Sequence, residues 1–212
     1  MLPENPVSPE SFESPGVLRP AGPTARIPRC PPGAWGYDVA QVDAFLRSVR
    51  EALATAPTGA AGEEPSVASA QVRTAAFSGA RGGYRPDAVD EVLDAAEDAL
   101  AAAERERFLR ARGAAAWAGH VEELAAVLRG RLERPRTRRF RHPSRPRARG
   151  YSAAHVDVLC ERLADRLAGA PVLEAGELRR VVFPPAQGER SYEEQQVDAF
   201  LDRAVQLLLA LG

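Results

Sequence analysis

A chain of 212 residues that is 45% apolar, 27% charged and only 6% aromatic has room for one domain or two small ones, and large rings cannot dominate its core. It holds 40 alanines and no lysine, so all 28 basic residues are arginines, and the formal charge of -1 predicts neither a nucleic-acid partner nor an acidic-substrate site. The balance is local: Arg129 to Arg149 carries ten arginines against one acid, Glu133, and the rest of the chain carries 18 arginines against 28 acids. Cys30 and Cys160 lack metal-ligand spacing, which predicts a reduced cytoplasmic protein without a metal centre. The first residues have neither a basic nor an apolar signal region, and no run approaches the roughly 18 apolar residues of a membrane span.

In chain order, residues 1–33 are proline-rich and expected to be disordered. Four related units follow. The first occupies 34–56 and is joined by a linker, 57–65, to the second at 66–112. An extra helix is predicted over 113–134 and an Arg/Pro-rich mobile linker over 135–149. The third unit spans 150–169 and the fourth 170–212. The fold class expected is all-α, with short helix, loop and longer helix repeats packed as a small bundle.

The units are found from the tyrosines. The sequence reads GYDVAQVDAFL from Gly36, GYRPDAVDEVL from Gly83, GYSAAHVDVLC from Gly150 and SYEEQQVDAFL from Ser191, so every tyrosine in the protein precedes a Val-Asp by five residues. If the residue after Tyr is the N-cap of a helix, Tyr and Val occupy the two positions that pack as a hydrophobic staple. The pairs are Tyr37 with Val42, Tyr84 with Val89, Tyr151 with Val156 and Tyr192 with Val197. Asp38 and Ser152 are good caps and Pro86 suits the first helical position. In the fourth copy, Ser191 with Glu194 offers a competing capping box one frame away. His155 is expected to share a capping position with Gln41 and Gln195. Downstream, apolar residues at i, i+3, i+4, i+7 and i+11 give each helix one apolar stripe, as in Val42, Phe45, Leu46, Val49 and Leu53. The recurring acids Asp43, Asp90, Asp157 and Asp198 point to a specific partner, an upstream arginine or a backbone N–H, or else to a solvated acid kept from a duplicated ancestor. Copies two and four each add a short helix upstream, ending in Phe77 and Phe183.

These motifs resemble the N-terminal motif of DivIVA-type bacterial cell-division and polar-growth proteins, and several copies in an Ala- and Arg-rich chain look like the actinobacterial DivIVA-domain repeat proteins. The resemblance covers roughly half the chain. It implies a non-enzymatic cytoplasmic scaffold without cofactor or small-molecule substrate, located at a pole or septum, which associates with itself or with other cell-division proteins. Two features depart from that family. The helices meet Pro57, Gly169 and Gly212 too soon for a long coiled coil, and no copy keeps the Phe-Arg pair that the family places before Gly-Tyr to touch lipid. Trp35, one position displaced, is the sole aromatic near that place.

The arginine segment is the strongest electrostatic signal. Read as an extended linker, it exposes Arg138, Arg139, Phe140, Arg141 and Arg149, which with Trp35 form the expected contact to an anionic membrane surface. Nucleic acid would attract the same charges, and the alternative to both is that the arginine linker folds back on the acidic helices. Nucleic acid is disfavoured because six acids (Asp87, Asp90, Glu91, Asp94, Glu97, Asp98) precede the first base, Arg105, in the longest helix. The three histidines share no spacing, and no phosphate loop or nucleophile motif is present, so no catalytic residue is assigned. Trp117 is expected to anchor the core.

Overall fold

The structure, a computed structural model, describes residues 27–55, 66–145, 147–170 and 173–212. Its elements are β1 (Trp35–Tyr37), α1 (Val39–Thr55), α2 (Ser69–Arg73), β2 (Gly79–Arg81), α3 (Pro86–Leu132), β3 (Arg149–Ser152), α4 (Ala153–Leu167), α5 (Ala175–Arg179), β4 (Pro185–Gln187), β5 (Ser191–Tyr192) and α6 (Glu194–Leu211). The protein is mostly helical, as the apolar spacing predicts. The strands were not foreseen, because ladders of two to four residues are too short to show a period-2 pattern.

Each repeat helix begins in the frame that the staple requires. The N-caps are Asp38, Arg85, Ser152 and Glu193, each one residue after its tyrosine. The Asp38 carboxylate accepts from Gln41 N–H at 2.9 Å, and His155 Nδ1 lies 2.9 Å from Ser152 Oγ. In the fourth copy the competing frame is not used: Ser191 Oγ donates to Gly188 O at 2.9 Å. The residue equivalent to Gln41 and His155 is therefore Gln196, not Gln195. The four valines are buried to 0% or 1% exposure, each contributing about 1.5–3 kcal/mol by burial.

The repeats fold in pairs, copy one with copy two and copy three with copy four. In the first pair β1 runs antiparallel to β2, with Trp35 opposite Arg81 and Tyr37 opposite Gly79. Tyr37 and Tyr84 exchange both backbone hydrogen bonds, at 2.9 Å each. In the second pair the sheet order is β4-β3-β5, and Tyr151 lies opposite Tyr192. The free N–H of each helix cap is satisfied by the segment leading into the other copy: Asp38 N–H donates to Ser78 O, Arg85 to Pro28 O, Ser152 to Pro184 O and Glu193 to Arg141 O, all at 2.8–2.9 Å. Each copy thus completes the other's helix start.

Residues 27–33, assigned from sequence to a disordered stretch, take part in this exchange. Cys30 N–H donates to Gly83 O at 2.8 Å, and Ile27 packs on Val42 and Val89. The remainder of that stretch, 1–26, and the linker 57–65 lie outside the described residues. The short helices α2 and α5 are present, and Phe77 and Phe183 fall four residues beyond their ends.

The first pair has two small cores, one around Val42, Leu46 and Val89 and one around Val49, Ala52, Val72 and Leu100. The second has a single larger core. The extra helix expected after residue 113 is the second arm of α3, which is interrupted at Gly113 (φ 80°, ψ 170°). That conformation is open essentially to glycine alone. Beyond it, Ala125, Leu128 and Leu132 enter the core of the second pair.

The described residues of the 135–149 segment, 135–145 and 147–149, are held against the fold and do not form an extended linker. Phe140, 4% exposed, packs edge-on against Tyr192 and Phe200 with centroids 5.1 and 5.3 Å apart, and Arg139 is buried beside it. The prolines exclude a helix, as expected, but a buried ring and a charge-matched arginine hold the segment without one. The two cysteines differ in the same way. Burial pushes the Cys160 thiol up to about 12. In the native protein near pH 8, iodoacetamide is expected to add once, at Cys30, and a second time only in denaturant. Two rapid native adducts by mass spectrometry would contradict this packing.

Candidate functional site

The acid of each repeat answers the tyrosine of the paired repeat. Tyr84 O–H donates to Asp43 Oδ1 at 3.0 Å, and Tyr192 O–H to Asp157 Oδ1 at 3.0 Å. In the opposite sense, burial and then the Asp90 carboxylate push the Tyr37 hydroxyl above its usual range, and burial and then Asp198 do the same to Tyr151. The eight Tyr and Asp positions of the motif are thus coupled across the pairs, two pairs through a hydrogen bond and two through the charge of the facing carboxylate. The remaining motif position is the glycine before Tyr. A Cβ on Gly36 would meet Tyr84 O at 2.3 Å, one on Gly83 would meet Tyr37 O at 2.3 Å, and one on Gly150 would meet Tyr192 O at 2.1 Å.

The two pairs differ in depth. At Tyr84 the contact with Asp43 is open to solvent. Tyr192 is fully buried, and burial above all raises its hydroxyl far beyond the ordinary range. Asp157 also accepts from Thr137 N–H at 2.7 Å and from Arg139 Nη1 at 3.4 Å, and Arg139 Nη1 donates to Asp157 O at 2.9 Å. The upstream arginine and the backbone N–H anticipated for the repeat acids thus both exist, at Asp157. Removing only the hydroxyl should expose the difference. Tyr192→Phe is expected to cost about 1–3 kcal/mol and Tyr84→Phe no more than about 0.5, read as shifts in urea midpoint. Equal shifts would mean that the buried network adds nothing.

A second charged constellation was not foreseen from sequence. Glu97 on α3 is 2% exposed and lies between Arg73 and Arg179, the last residues of α2 and α5. Arg73 Nε donates to it at 2.7 Å, and Arg179 Nη2 lies 2.8 Å from its other oxygen. Arg73 also donates to Asp202 O on α6 at 2.8 Å, and Arg179 to Asp98 at 2.8 Å. The two arginines hold equivalent places, each four residues before Phe77 or Phe183. That shared spacing was the available signal.

The expected anionic-surface residues are divided by the fold. Trp35 is 64% exposed at the outer end of β1, with the Arg81 guanidinium 5.1 Å from its ring centroid. Arg149 holds the equivalent place on β3, opposite Gln187. Arg138 and Arg141 are exposed and form no ion pair among the described residues. Arg139 and Phe140 are withdrawn into the core and cannot reach a surface. Their burial is explained by Asp157, Tyr192 and Phe200, which satisfy the charge and the ring where solvent would otherwise have to.

Among the described residues no three metal-ligating side chains converge, and no helix is long and apolar enough to cross a membrane. No protein-family model, curated protein or solved structure matches the chain.

Proposed function

We propose that the protein is a non-enzymatic interaction module of the DivIVA-like kind, acting in bacterial cell division or polar growth. The observation that carries this reading is the reciprocal pairing of the four Gly-Tyr, Val-Asp units. Every position of the motif is spent on building a two-fold pair, and the buried charges Glu97, Asp157 and Arg139 are spent on holding elements together. Such a chain presents shaped outer faces to other proteins, and it acts by binding partners or further copies of itself through those faces. In this proposal its site of action is the cytoplasmic side of a pole or septum.

A fluorescent fusion expressed in dividing actinobacterial cells should concentrate at septa or poles. A uniformly diffuse signal from a fusion that is intact and folded would overturn this reading. The exposed Trp35 and Arg81 favour a second reading, peripheral contact with an anionic bilayer. Sedimentation with vesicles rich in phosphatidylglycerol should then fall on Trp35→Ala and with added salt; equal sedimentation of both proteins would remove it.

A further inference from the structure

Around the Gly113 break the molecule carries a groove of about 430 Å³ that the pairing of repeats does not use. Its floor is three half-buried rings: Phe108 before the break, Trp117 and His120 after it, with centroids 5.3–5.6 Å apart. Leu124, Leu209 and Ala210 extend the apolar wall. The polar rim is basic. Arg107 and Arg112 form no ion pair among the described residues, and Arg112 stacks on Phe108 at 5.2 Å. The one acid on the rim, Glu104, is taken up by Ser69, which gives it both backbone N–H and hydroxyl at 2.7 Å.

We propose that this groove is the docking site of the chain's own first 18 residues, MLPENPVSPESFESPGVL. Aromatic-lined grooves accept proline-rich segments, whose few backbone freedoms leave little to lose on binding. This segment offers Pro3, Pro6, Pro9 and Pro15, a single aromatic ring at Phe12, and three acids, Glu4, Glu10 and Glu13, with no base before Arg19. Its charge is opposite to that of the rim. Its reach also suffices. Ile27 packs beside Val89, and Phe108 lies 19 residues further along α3, about 28 Å away at the helical rise. The chain from Ile27 back to Phe12 spans up to about 50 Å when extended.

The experiment uses the full chain. Trp35→Phe leaves Trp117 as the only indole, and Cys30→Ser with Ser11→Cys leaves one reactive thiol for a nitroxide, since Cys160 is buried. The indole N–H signal of Trp117 should lose most of its intensity when the label is oxidised and regain it on reduction. The loss should also disappear in Arg107→Glu with Arg112→Glu. Unchanged intensity with the oxidised label would overturn the proposal. So would a loss that persists undiminished with the charges reversed and the fold intact. If the double variant fails to fold, Glu10→Arg with Glu13→Arg makes the same test from the other side. Broadening that appears only between differently labelled molecules in a mixture would assign the groove to a second copy and overturn the intramolecular assignment.

Discussion

Glu97→Ala is expected to destabilise the protein by about 3–5 kcal/mol, the largest loss among the charged residues. The substitution leaves two nearly buried guanidiniums, Arg73 at 12% and Arg179 at 10% side-chain exposure, facing the space that the carboxylate filled. Breaking a buried pair from one side costs this much because the remaining charge is stranded away from water. Glu97→Gln keeps the shape and one acceptor, and should cost less than the alanine variant. Urea unfolding gives both numbers. A loss under about 1 kcal/mol for Glu97→Ala would mean that Asp98 and the Asp202 carbonyl suffice for the two arginines. Because the arginines come from α2 and α5, the loss should also loosen the docking of one repeat pair on the other. Faster amide exchange along α6 than in the native protein is expected to accompany it.

Gly150→Ala should cost about 3 kcal/mol or more. The atom that the new methyl meets at 2.1 Å is the Tyr192 carbonyl oxygen, fixed by the β3 to β5 ladder, so backbone and not a pliant side chain must move. Gly130→Ala makes a control in the same protein. That glycine lies within α3 with nothing within 4 Å of an added Cβ, and its replacement should stabilise by about 0.5–1 kcal/mol. If Gly150→Ala and Gly130→Ala shift the thermal midpoint in the same direction, the close crossing of the tyrosine strands is not what fixes that glycine.

The helix starts were legible in the sequence because a staple is a local device: Tyr and Val stand five residues apart, and their caps lie between them. Helix ends at Thr55 and Leu167 followed from nearby proline and glycine for the same reason. The pairing was not legible. A tyrosine that bonds an aspartate 41 residues away, as Tyr84 does to Asp43, leaves no trace in any local window. The repeat itself held two clues to it, the glycine that never varies in the first three copies and the acid that never varies in any. The arginine segment misled for a different reason. Proline and charge argue against helix, which was right. They do not argue against anchoring, and one phenylalanine with one paired arginine was enough to fix the chain.

The two members of each pair are segments of one polypeptide. For repeats on separate chains, pairing would be bimolecular, and it would dissolve on dilution. Here the partner is always present, at the millimolar effective concentration typical of a short tether, whatever the number of molecules in the cell. Each copy is also free to drift so long as its own partner compensates. Ser191 stands where the other three copies have glycine; it pairs with Ser152, and its side chain turns back to donate to Gly188 O at 2.9 Å.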